Sequence, residues 1–88
     1  MKRCAFVARG RVQGVGFRHF TAMAARAHGV AGWVRNEADG SVRGEVEGED
    51  AAVQAFLAEV RAGPRFARVD EVATRDLAVQ GDSVFSVR

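Results

Sequence analysis

One cysteine stands in the 88 residues, Cys4, and no second is there to pair with it. A disulfide within the chain is therefore excluded, as is a zinc site built on repeated C-x-x-C pairs, and a reducing compartment fits. No apolar stretch approaches the roughly 18 residues needed to cross a bilayer as a helix. Lys2 and Arg3 begin the chain but lead straight into a strand-like segment rather than an export signal, so the expectation is a cytoplasmic protein with no membrane partner. The length suits one compact domain, residues 1–88, and is too short for two. With 48% hydrophobic and 27% charged residues the composition is that of a globular chain rather than a disordered one. The formal charge of +2 and the pI near 9.5 come almost wholly from arginine, whose planar fork matches oxyanions. A mildly basic solvated surface would account for the same balance, so motifs must decide.

Lys2 to Arg9 alternates, Cys4, Phe6 and Ala8 against Ala5 and Val7, as in a strand covered on both sides or nearly so. Gly10 to Phe17 holds three glycines and no periodicity. Phe20, Met23, Ala24 and Ala27 then recur at helical spacing until Gly29 ends the pattern. Val30 to Asn36 reads as a second strand and Ser41 to Gly48 as a third, joined through the Asp39-Gly40 turn signal. Asp50 is placed as the cap of a second helix whose Val53, Phe56, Leu57 and Val60 repeat at i, i+3, i+4 and i+7, with Gly63-Pro64 as its stop. Arg68 to Leu77 reads as a fourth strand in spite of its charges, and Val84 to Val87 as a short terminal one.

The order strand, helix, strand, strand, helix, strand (βαββαβ) predicts an α+β fold, a ferredoxin-like α/β sandwich. Its antiparallel sheet would have four to five strands, with both helices on one face. The first and second strands then run the same way, which brings the segment Gly10 to Arg18 beside Asn36.

The run from Gly10 to Arg18 follows a strand and opens a helix, where unpaired amides and the positive end of the helix dipole gather. Gly14 and Gly16 let the backbone curl so that successive N–H groups point inward, and Arg18 can add a guanidinium fork to the same oxygens. A Walker loop would end Gly-Lys-Ser/Thr, and a dinucleotide fingerprint would need a third glycine where His19 stands; neither is present. A thiolate phosphatase would place cysteine six residues before the arginine, whereas Cys4 lies within a strand. A glycine-rich turn that merely joins strand to helix remains the plain alternative for the loop. For Arg18 that alternative is a solvated side chain, although a cation is disfavoured at a helix start. For Asn36 it is a turn residue before Asp39-Gly40.

Gly10 with Val12-Gln13-Gly14-Val15-Gly16-Phe17-Arg18, then Gly32-Trp33-Val34-Arg35-Asn36, then Gly40, Val42 and Gly48, resembles the two signature segments of the acylphosphatase family. The likeness runs on through Gly63-Pro64 and Val69 and so spans nearly the whole chain; Ala8, where the family usually has a larger aliphatic residue, is a small departure. The resemblance implies that Val12, Gln13, Gly14, Val15, Gly16 and Phe17 form a phosphate-binding loop, that Arg18 binds the phosphoryl group, and that Asn36 orients water. It also implies direct in-line attack of water on the phosphorus of an acyl phosphate, with no metal, no other cofactor and no phosphoenzyme.

A non-catalytic anion-binding or regulatory module on the same fold is the competing reading. An RNA reader would need aromatic rings on its central strands, and the third strand has none, so no nucleic acid is expected. The acylphosphatase-like domain at the N-terminus of hydrogenase-maturation carbamoyltransferases is similar too, though this chain stops after one domain. The partner expected is a small-molecule acyl phosphate, bound by a monomer. His19 and His28 are expected on exposed helix faces, Cys4 in the core, Trp33 packed or flanking the site, and Arg35 on the face opposite Asn36.

Overall fold

The computed structural model describes residues 1–88. Its elements are β1 (Lys2–Arg11), α1 (Phe17–His28), β2 (Ala31–Asn36), β3 (Val42–Gly48), α2 (Asp50–Ala62), β4 (Arg68–Leu77) and β5 (Phe85–Val87). The strands form one sheet in the order β4-β1-β3-β2-β5. β1 is antiparallel to both β3 and β4, and β2 is antiparallel to β3. This is the expected ferredoxin-like sandwich with one change: β5 lies parallel to β2, so the sheet is mixed rather than wholly antiparallel.

Both helices cover one face. Alternation sends Cys4, Phe6 and Ala8 of β1, Val34 of β2 and Val42 and Val46 of β3 into a single core with Phe17, Ala24 and Ala25 of α1 and Val53, Phe56, Leu57 and Val60 of α2. Burying each large apolar side chain contributes about 1.5–3 kcal/mol, which makes this the main force holding helices to sheet. Phe56 sits at its centre, with ring centroids 5.6 Å from Phe6 and 5.8 Å from Phe85. The other sheet face has no such cover. Ala5 and Val7 are only half-buried, which corrects the expectation of a first strand covered on both sides.

Three further expectations change. In α1 the buried residues are Phe17, Thr21, Ala22, Ala24 and Ala25, whereas Met23 and Ala27 are exposed. Thr21 faces the core with its hydroxyl satisfied, donating to the Phe17 carbonyl at 2.8 Å. In α2 the cap position falls on Glu49, and Asp50 is the first helical residue, where its carboxylate still suits the dipole. His28 is half-buried and paired with Glu59, tying the two helices together. The charges of β4 are explained by its place at the sheet edge, where charged side chains also discourage pairing with other chains.

A buried ion cluster was not foreseen. The Arg3 side chain, 1% exposed, reaches Glu45 at 2.8 Å, Asp82 at 2.9 Å and Glu47 at 3.1 Å. Glu47 also accepts the N–H groups of Gln80 at 2.7 Å and Gly81 at 2.9 Å, which fixes the connection between β4 and β5. Burial alone would lower the Arg3 pKa, but the carboxylates of Glu45, Asp82 and Glu47 raise it.

Candidate active site

Three pieces of chain meet at one end of the sheet: the loop from β1 to α1, the end of β2, and the end of β5. Val12, Gly14, Gly16, Phe17, Arg18 and Asn36 line a common cavity of about 350 Å³ there, joined by His19 and Val87. The topology produces this meeting, since β1 and β2 are both antiparallel to β3 and so end at the same edge.

The loop is pinned at both ends, because Val12 is 1% exposed and Phe17 2% exposed in the core. Between them Gly14 and Gly16 have φ of 74° and 75°, the left-handed conformation that turns neighbouring amides toward one side. Gly16 is the cap residue of α1 and has no side chain to satisfy the first-turn N–H groups; the first turn carries no acidic residue either. The amides and the dipole are thus left for an external anion.

Val15 packs against the core, and the Gln13 carboxamide donates to the carbonyl oxygens of Glu37 at 2.7 Å and Ser41 at 2.9 Å. Neither residue lines the cavity, so what each can offer an anion is its main-chain N–H.

Arg18 projects a cation from the positive end of a helix, a placement that an anion would relieve. Its Nη1 donates to the main-chain oxygen of Arg88 at 3.2 Å. The Arg88 N–H in turn donates to the Val34 oxygen at 2.7 Å, carrying the strand pairing past Val87. The guanidinium is therefore steadied by the strand beside the one that carries Asn36. Asn36, the last residue of β2, is exposed at the cavity.

The turn after Asn36 is held by Asp39, whose carboxylate accepts the Ser41 hydroxyl at 2.6 Å and the Ser41 N–H at 2.9 Å. The Ser41 hydroxyl and amide, with help from Arg9 at 3.3 Å, hold the Asp39 pKa down at about 2.

Trp33 and Arg35 lie on the uncovered sheet face, away from this cavity. Cys4 is 2% exposed in the core, and burial raises its pKa, which suits a packing residue rather than a nucleophile. No group of three or more His, Cys, Asp or Glu side chains is arranged to hold a metal ion. Sequence reasoning missed His19 and Val87 as lining residues. His19 follows Arg18 directly in the first helical turn, a signal that was present, whereas Val87 arrives only through the parallel pairing of β5 on β2.

The chain is similar to proteins already known. A family model described as Acylphosphatase matches residues 4–87. An acylphosphatase of Oceanobacillus iheyensis is 56% identical over 71 residues, covering 80% of this chain and 78% of that one. The crystal structure of acylphosphatase from Bacillus subtilis superposes with a TM-score of 0.97 at 37% identity, covering 100% of this chain and 99% of that one. The crystal structure of T. kodakarensis HypF matches with a TM-score of 0.87 at 32% identity, over 100% of this chain but 12% of that much longer one.

Proposed function

Because the chain belongs to the acylphosphatase family, we propose that Arg18 and the main-chain amides of residues 12–17 hold the substrate's phosphoryl group while Asn36 holds the attacking water. The activity itself is hydrolysis of an acyl phosphate to a carboxylate and inorganic phosphate. Family membership does not favour the non-catalytic anion-binding reading.

The observation that carries the assignment of residues is the single cavity lined at once by the glycine loop, Arg18 and Asn36. In the reaction the water oxygen attacks phosphorus in line as the bond from phosphorus to the carboxyl oxygen breaks, and the water's proton passes to a phosphoryl oxygen. A carboxylate is a good leaving group and departs without a general acid. Charge in the loose transition state rests on the phosphoryl oxygens, where fixed amides and a guanidinium act most strongly. The Asn36 carbonyl oxygen is the acceptor that aligns the water, a preorganised contact whose loss raises the barrier by on the order of 3 kcal/mol.

We take the reaction to need no metal, a reading supported by the cavity lining: amides, one guanidinium, one carboxamide and one imidazole, with no carboxylate. We also take residues 1–88 to act as one domain, a monomer in the cytoplasm without a nucleic-acid partner. The single core cluster is in keeping with one domain.

The test is hydrolysis of benzoyl phosphate in EDTA by the wild type and by Arg18→Ala and Asn36→Ala variants shown to be folded. Metal-free turnover that both substitutions abolish is the expected result. Turnover that survives either substitution, or that EDTA removes, defeats the assignment.

A further inference from the structure

The sheet face turned away from the helices holds a second cavity of about 350 Å³, which shares no lining residue with the first. Small side chains from the paired strands β1 and β4, Ala5, Val7 and Ala73, lay its floor, and Arg35, Arg43 and Arg75 stand around it. Arg35 and Arg43 occupy directly opposed positions in the β2–β3 register, where like charges repel. A single carboxylate serves both, Glu37, at 3.0 Å from Arg35 and 3.6 Å from Arg43. The carboxylate that lines the cavity, Glu45, is already taken by Arg3 at 2.8 Å. Arg75 is exposed and takes no part in the ion pairs of this face.

The remaining wall is Trp33, 8% exposed. The guanidinium carbons of Arg35 and Arg88 each lie 4.9 Å from its ring centre, close enough for the ring to hold both cations in place. The face thus combines a flat apolar floor with an excess of fixed positive charge that the fold leaves under-compensated.

We propose that this trough binds a small organic phosphate carrying a flat ring, with the size and chemistry of a nucleoside monophosphate. Arg43 and Arg75 engage the phosphate oxygens through their planar forks, and the ring lies over Ala5, Val7 and Ala73 beside the Arg35 guanidinium plane. The volume falls at the lower end of the range for small-molecule sites, which fits one such ligand and little more.

Trp33 is the one tryptophan of the chain and therefore reports on this cavity without labelling. The experiment is a fluorescence titration of the full chain with adenosine monophosphate at constant ionic strength. It is run on the wild type, on Arg18→Ala and on an Arg43→Ala/Arg75→Ala double variant shown to be folded by circular dichroism. The expected result is a saturable signal that Arg18→Ala preserves and the double variant weakens at least roughly tenfold, a loss of about 1.4 kcal/mol. Benzoyl phosphate hydrolysis by the double variant should stay at the wild-type rate, and inorganic phosphate should compete only weakly. The proposal is overturned by a wild type that shows no saturable change, by a double variant that titrates like the wild type, by loss of the signal in Arg18→Ala, or by inorganic phosphate competing as well as the nucleotide.

Discussion

Gln13 bridges the anion loop to the turn that follows Asn36, its Nε2 donating at 2.7 Å to the Glu37 carbonyl and at 2.9 Å to that of Ser41. Those two carbonyls bracket the β2–β3 turn, which is closed by the Glu37 N–H on the Ser41 oxygen at 2.9 Å. A second tie, Arg9 to Asp39 at 3.3 Å, joins the end of β1 to the same turn. The separation between the loop amides and Asn36 is thus set by cross-links between the β1–α1 segment and the β2–β3 turn rather than by either alone.

Gln13→Ala removes the bridge without removing the amides or Asn36 themselves, and so frees their separation to vary. Stability should fall by about 1–2 kcal/mol in urea unfolding, the usual cost of lost side-chain hydrogen bonds with partly buried partners. Turnover of benzoyl phosphate should fall by roughly tenfold to a hundredfold with a smaller change in KM, because misplacing the water affects the transition state most. Gln13→Glu, which sets a carboxylate against two carbonyl oxygens, should be the less stable of the two. Lost stability with unchanged kcat would mean that the bridge does not position the site.

Gly16→Ala and Gly29→Ala form a matched pair. Their φ values are 75° and 65°, and a Cβ built on either meets nothing within 4 Å, so each change costs left-handed strain without a clash. That strain is about 1–2 kcal/mol in both cases, readable as equal shifts in unfolding free energy. Only Gly16 belongs to the anion loop. Competitive inhibition by phosphate should therefore weaken in Gly16→Ala and persist in Gly29→Ala, and equal inhibition of both variants would count against a role for the loop amides.

Asp39 offers a check by pH. Its carboxyl titrates at about 2 in the folded chain, against about 3.9 for a free aspartate. Between those values the unfolded chain binds more protons, so the contribution of Asp39 to stability is complete above about pH 4 and disappears as pH falls toward 2. NMR titration should place the Asp39 midpoint near the lower value, and Asp39→Asn should flatten this part of the stability profile. A midpoint at the free value would show that the Ser41 contacts do not persist in solution.

How far these features could be read from the chain depended on whether their causes were local. Helix α2 was legible because Val53, Phe56, Leu57 and Val60 all point one way and all are buried. The face of α1 was misjudged because, beyond Phe17, its core side is made of alanines and Thr21, while Met23 points outward at 56% exposure. The anion loop and Asn36 were legible because glycine spacing, the helix start and the arginine lie within one short run and the topology supplied the rest. The Gln13 bridge, the Arg18 contact with Arg88 and the parallel β5 all depend on partners 24 or more residues away, which no local pattern announces. The acidic partners of Arg3 lie 42, 44 and 79 residues away, and in the sequence Glu45 and Glu47 looked like ordinary outward residues of a strand.

That cluster governs the acid limit of the fold. Arg3→Ala would leave Glu45, Glu47 and Asp82 facing one another without their cation, a loss of about 3 kcal/mol or more in urea unfolding. Arg3→Lys, a point charge in place of a fork, should recover only part of it. The Gln80 N–H lowers the Glu47 pKa; burial opposes the shift, and Arg3 and the Gly81 N–H add to it. With a depressed folded value, the stability Glu47 contributes is present above its unfolded pKa, about 4.3, and is lost as pH falls below it. Protonation would loosen the Gln80–Gly81 stretch of the β4–β5 connection before the core, since those two amides are held by Glu47 while Asp82 stays tied to Arg3. Hydrogen exchange at Gln80 and Gly81 should therefore quicken in acid ahead of the amides of β1 and β3, and Glu47→Gln should quicken it already at neutral pH. Unchanged protection of both amides in that variant would show that the connection is held by something other than Glu47.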